Sequence, residues 1–141
     1  IGKIIEVTYF KDEFDQVLSL CRSDLLTMTM AESQVFGFTH QECGAYLMDN
    51  WGLNRMLIKA VEFHNTPGDL DLEDDAFMLT SLIHASNLFV HYLMIGEAGD
   101  PFIPVLDSDC FSALELPLDK IDEILEKIQK ATQDFSSLLA S

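Results

Sequence analysis

Apolar residues along this chain recur at spacings of three and four, and they nowhere alternate over a sustained run. That period belongs to the α-helix, whereas a half-buried strand repeats every second residue. Phe14, Val17, Leu18 and Cys21 form one such stripe within Asp12 to Cys21. Met28 to Phe36 reads as a second short helix, which Gly37 can end in a left-handed conformation. Thr39, with Glu42 three residues on, is a capping-box pattern and opens a helix carrying Cys43, Tyr46, Leu47 and Trp51. Gly44 and Ala45 leave one side of that helix slim enough for another helix to approach, and Trp51 reads as a packing anchor. Asn54 caps a stripe of Met56, Leu57, Ala60, Val61 and His64, which Thr66-Pro67-Gly68 breaks. Ala76 to Ile95 is apolar on most sides and reads as a central, buried helix. A Gly/Pro loop from Gly96 to Pro104 follows, then a short helix over Asp107 to Leu114 and a break at Leu116-Pro117. The last helix is amphipathic, with Ile121, Ile124, Leu125, Ile128, Ala131, Phe135 and Leu138 as its stripe. The spacing predicts an all-α fold, an irregular multi-helix bundle of about seven helices.

Composition narrows the partners. Hydrophobic residues make up 48% of 141, enough to bury a core within one domain spanning 1–141. Asp and Glu total 24 against 8 Lys and Arg, a formal charge of -16. Such a field repels phosphate backbones and anionic lipid heads, so neither nucleic acid nor a membrane surface is expected as a partner. The most apolar segment, Leu79 to Ile95, holds His84, Asn87 and His91 and is too polar and short to span a bilayer. The opening residues show no secretory-leader pattern. Cys21, Cys43 and Cys110 are widely spaced and suggest neither a zinc knuckle nor a disulfide framework, so they read as reduced thiols of a cytoplasmic protein. The acidic run Asp69 to Asp75 lacks the alternating ligands and mid-loop glycine of an EF-hand and reads as a solvated face. The 6 methionines read as adaptable core packing. Glu32 and Glu42 read as a solvated carboxylate and a cap partner rather than as a general acid and base.

An ordered series of phrases runs through the chain. Glu32 precedes Phe36-Gly37-Phe38-Thr39-His40-Gln41-Glu42-Cys43-Gly44-Ala45; then come Trp51-Gly52-Leu53 and Ala60-Val61-Glu62-Phe63-His64-Asn65-Thr66-Pro67; and Leu82-Ile83-His84-Ala85-Ser86-Asn87 comes last. The series resembles the HDOD domain, the HD-related output domain of bacterial signalling proteins. Ile1-Gly2-Lys3-Ile4 looks like the tail of the His-Asp-Ile-Gly-Lys phrase that names the superfamily. The resemblance implies that the His and Asp lie just before Ile1, so that 1–141 is an N-terminally truncated domain. Residues 1–95 would then carry the motif-bearing helices, and 96–141 a C-terminal loop and amphipathic helix.

Metal-dependent relatives hold divalent ions with His and Asp on several helices, which polarise a phosphoryl oxygen and generate hydroxide. By this resemblance, His40 matches a ligand and His64 the first of a histidine pair. The second of that pair is Asn65 here, and a late-helix Asp is Asn87. An amide lacks the charge of a carboxylate and is a poor ligand beside imidazole. His40, His64, Asn65, His84 and Asn87 would then line a relict cleft. The resemblance thus implies a non-catalytic signalling module acting through protein contacts, with no catalytic residues and no cofactor. One alternative is a divergent metal-dependent phosphohydrolase, with His40 and His64 as surviving metal ligands. Another is a nucleotide or small-molecule sensor that uses the cleft without chemistry. Apolar surface left open by the absent residues would favour a homo-oligomer.

Overall fold

A computed structural model describes residues 1–139. Among these residues there are eight α-helices and no strands, as the spacing requires. They are α1 (Gly2–Tyr9), α2 (Lys11–Ser23), α3 (Met28–Val35), α4 (His40–Asn50), α5 (Arg55–Glu62), α6 (Phe77–Tyr92), α7 (Ser108–Ala113) and α8 (Ile121–Leu139). Short 3-10 turns at Pro67–Asp69 and Leu118–Lys120 precede α6 and α8. The helices pack as a chain of neighbours: α3 on α2, α2 on α1, α1 on α4, α4 on α5, α5 on α6 and α6 on α7. No described helix is long and apolar enough to cross a membrane.

The caps fall where short polar side chains stand before a helix. Thr27, Thr39, Asn54 and Asp107 each accept a backbone N–H from the first turn of α3, α4, α5 and α7. Thr39 and Glu42 complete the capping box in both directions. Gly37 adopts a φ of 78° after α3, where a left-handed residue is needed.

Apolar packing is split between two ends. At one end Val17 and Cys21 of α2 meet Met28 and Ala31 of α3. At the other, Phe77 of α6 packs with Leu70, Ala76 and Cys110. The middle, where α1, α4 and α5 meet, is polar inside: Glu6, Glu32, His40 and Gln41 are all buried there. The segment 93–107 then crosses back over the first helices. Lys3 Nζ donates to the Ala98 carbonyl at 3.2 Å, and the Met28 amide at the start of α3 donates to Asp100 Oδ2 at 2.9 Å.

Several packing expectations are corrected. In α4 the slim face is buried, with Gly44 and Ala45 beside Met48, while Tyr46 and Trp51 (60% exposed) point outward. Trp51 is therefore not a packing anchor, because close approach of α1 and α5 takes the face with the smallest side chains. Helix α6 is not buried all round: Met78 and Leu82 are exposed, and its buried face carries Thr80, Ser81 and His84. Only Met28 and Met48 of the methionines are core residues. Glu32 is not solvated but fully buried. Residues 2–9, unassigned by periodicity, form α1 because they pack against α4.

Close approach of α1 to α4 is set by Gly2. A Cβ there would land on the His40 backbone carbonyl, which cannot rotate away. In an unconstrained helix Gly→Ala stabilises by roughly 0.5–1 kcal/mol. Here overpacking reverses the sign, and Gly2→Ala should cost about 1–3 kcal/mol in a urea titration. An unchanged or raised midpoint would show that α1 does not sit on α4.

Candidate functional site

The polar middle opens into a cavity of about 330 Å3. His40 reaches it from the first turn of α4, His64 and Asn65 from the turn after α5, and Asn87 from α6. His40 and His64 approach each other, with ring centroids 5.3 Å apart and Nε2 atoms 3.4 Å apart. Asn65 Nδ2 also lies 3.4 Å from His40 Nε2. Behind His40 stands Glu32, whose Oε2 accepts the His40 amide at 3.0 Å. His40 Nδ1 lies 2.8 and 2.7 Å from the two Glu32 oxygens. Four of the five residues expected at the cleft thus meet at one cavity, in the order α4, α5, α6.

Residues 1–67 match the HDOD domain. Among the curated proteins and among the solved structures, nothing matches the chain. The HDOD match runs from α1 through α5 to Pro67. It includes His40, His64 and Asn65, which form one wall of the cavity. Asn87 of α6 and Asp100 and Pro104 of the crossing segment form the other and lie outside the match.

His84, the fifth expected residue, sits beside this cavity rather than in it. Its Nδ1 donates to the His64 carbonyl at 2.8 Å, and its Nε2 accepts the Asp107 amide at 3.3 Å. It joins the turn after α5 to the start of α7. His91 takes a place in the cavity that the sequence reading did not give it. The signal was present: His84, Asn87 and His91 are spaced by three and four on one helix, so Asn87 and His91 share a face. Lys3, Glu6 and Asp100 were missed too, because their roles arise from packing between distant segments.

The electrostatics follow from burial. His40 is held down to about 3 by desolvation first, then by the Lys3 charge. His64 is lowered to about 4 by desolvation, against the hydrogen bond to the Val61 carbonyl. Both imidazoles are therefore neutral at pH 7. His64 donates Nδ1–H to Val61 O at 2.7 Å, which leaves its Nε2 lone pair facing His40. Glu6 and Glu32 are pushed the other way, each to about 7, by desolvation above all; repulsion from Glu32 adds to the effect on Glu6. Neither Glu6 oxygen has a hydrogen-bond partner among the described residues.

A divalent ion held here would need three or more convergent ligands, neutral imidazole among them, and the described residues do not supply such a set. The imidazoles of His40, His64 and His91 line the cavity with the amides of Asn65 and Asn87. The Asp100 carboxylate is committed at both oxygens, Oδ2 to the Met28 amide and Oδ1 to the Phe102 amide at 3.0 Å. Glu32 is engaged by His40. Among the described residues no group of three or more His, Cys, Asp or Glu side chains is placed to hold a metal.

Proposed function

We propose that the chain is a non-catalytic HDOD-type regulatory module, acting through protein contacts in bacterial signal transduction in the cytoplasm. The observation that carries this reading is the donor set of the cavity: the imidazoles of His40, His64 and His91 and the amides of Asn65 and Asn87, with the Asp100 carboxylate already bonded to the Met28 and Phe102 amides. Asn65 and Asn87 stand where the resemblance places a His and an Asp ligand, and phosphoester hydrolysis through a metal-activated water needs the full ligand set. A protein surface is also available: Tyr46 of α4, Trp51 just after it and Leu82 of α6 are exposed, and aromatic side chains are enriched where proteins meet.

The test uses the chain together with whatever its gene encodes before Ile1. Titration with Mn2+ or Mg2+ should show no stoichiometric binding, and bis(p-nitrophenyl) phosphate should not be turned over. Stoichiometric metal with turnover, both abolished in His40→Ala, would establish the phosphohydrolase instead.

One observation favours a second reading. The cavity keeps about 330 Å3 with Lys3 at its edge, a volume within the range of small-ligand sites. A nucleotide that raises the melting temperature of the native chain but not of Lys3→Ala would favour the sensor.

A further inference from the structure

Helix α8 has its closest contact with the Leu118–Lys120 turn just before it, and its second half packs against little else. Its apolar stripe repeats with a strict heptad: Ile121, Ile124, Ile128, Ala131, Phe135 and Leu138 follow at alternating steps of three and four. The first part of the stripe is half-buried. The later part is not: Phe135 is 61% and Leu138 73% exposed. A 19-residue helix is about 28 Å long, and a 3.5-residue apolar repeat sustained along it is the seam of a coiled coil.

We propose that α8 pairs with α8 of a second copy of this chain as an antiparallel two-helix coiled coil. The residue order sets both partner and direction. In the antiparallel register centred between Gln129 and Lys130, Ile121 meets Leu138 of the second copy, Ile124 meets its Phe135 and Ile128 meets its Ala131. Every large residue of the outer layers then faces a large one, and the small Ala131 is filled by Ile128. The same register sets Lys127 opposite Asp134 of the second copy, and by symmetry Asp134 opposite its Lys127. Lys127 keeps its bond to Glu123 on its own helix at 2.6 Å, so one ammonium serves both carboxylates. The opposite flank pairs Leu125 with Thr132, whose hydroxyl is already donated to the Ile128 carbonyl at 2.9 Å. A parallel pair loses these matches. It stacks Ala131 on Ala131, leaving a gap, and sets Lys127 against Thr132 with no opposite charge. The pairing is independent of whether the cavity binds anything.

Sedimentation equilibrium over a concentration series tests the proposal on residues 1–141. This chain should approach twice its 15.9 kDa. Phe135→Asp, at an exposed position, should remain monomeric with an unchanged helical circular-dichroism signal. Asp134→Lys should weaken association about tenfold, because two opposite-charge pairs become two like-charge pairs. Adding Lys127→Asp to Asp134→Lys should restore it, since the swapped charges meet again only in the antiparallel register. A native chain that stays monomeric throughout overturns the proposal, as does a dimer indifferent to Phe135→Asp. A dimer that the double charge swap fails to rescue overturns the antiparallel register.

Discussion

Glu32→Ala should destabilise the protein by about 2–5 kcal/mol, since two buried donors lose their partner at about 1–3 kcal/mol each. Glu32 is fully buried and serves two groups at once. It accepts the His40 amide, one of the helix-start donors that α4 cannot satisfy internally, and it engages the His40 ring at Nδ1. Alanine leaves both without a partner inside the protein and adds a cavity. Glu32→Gln keeps an acceptor for the amide and should cost only about 1 kcal/mol. Paired urea titrations separate the two variants. Equal losses would mean that charge rather than bonding holds His40; a loss under about 1 kcal/mol for alanine would remove Glu32 as its support.

Glu6→Met should have the opposite sign, and the gain should depend on pH. The Glu6 carboxyl moves from an ordinary 4.5 to about 7 because burial and the neighbouring Glu32 penalise its charge. Below pH 4.5 both folded and unfolded chains hold the proton, and no penalty applies. Between pH 4.5 and 7 unfolding releases a proton, so stability falls as pH rises, and above 7 the loss is complete. Methionine has similar bulk and no charge, so it should recover on the order of 1–3 kcal/mol at pH 8, the shift being shared with Glu32, and little at pH 4. His40 and His64 act oppositely. Their lowered values give stability that is complete above pH 6.5 and lost as pH falls toward 3 and 4. Guanidinium titrations of both chains at the two pH values decide the matter. A methionine variant weaker than the native chain at pH 8 would show that the Glu6 carboxylate is bonded to something the fold requires.

What could be read from the sequence was what short stretches determine by themselves. Thr39 and Glu42 announce the start of α4, Asn54 that of α5, and the stripe Phe14, Val17, Cys21 the length of α2. His40, His64, Asn65 and Asn87 were legible because the phrases around them carry a family resemblance, and the fold brings those four to one cavity. Contacts between distant segments were not legible. Glu32 and Glu42 have the same side chain and differ only in what covers them. Trp51 and Tyr46 are apolar by type, but the glycine beside them decides which face turns inward. Glu6 sits on a helix too short to register as periodic, and Asp100 in a loop with no period at all.

The stitch between Met28 and Asp100 joins residues 72 apart, one inside the HDOD match and one beyond it. The stretch that evolution's bookkeeping groups together is therefore not the stretch that opens together. While this bond holds, the Met28 amide is shielded from exchange with solvent, which couples the opening of the segment 93–107 to that of the start of α3. A fragment ending at Pro67 would leave that amide, and one wall of the cavity, to water. A piece that keeps this stitch must extend at least through Asp100.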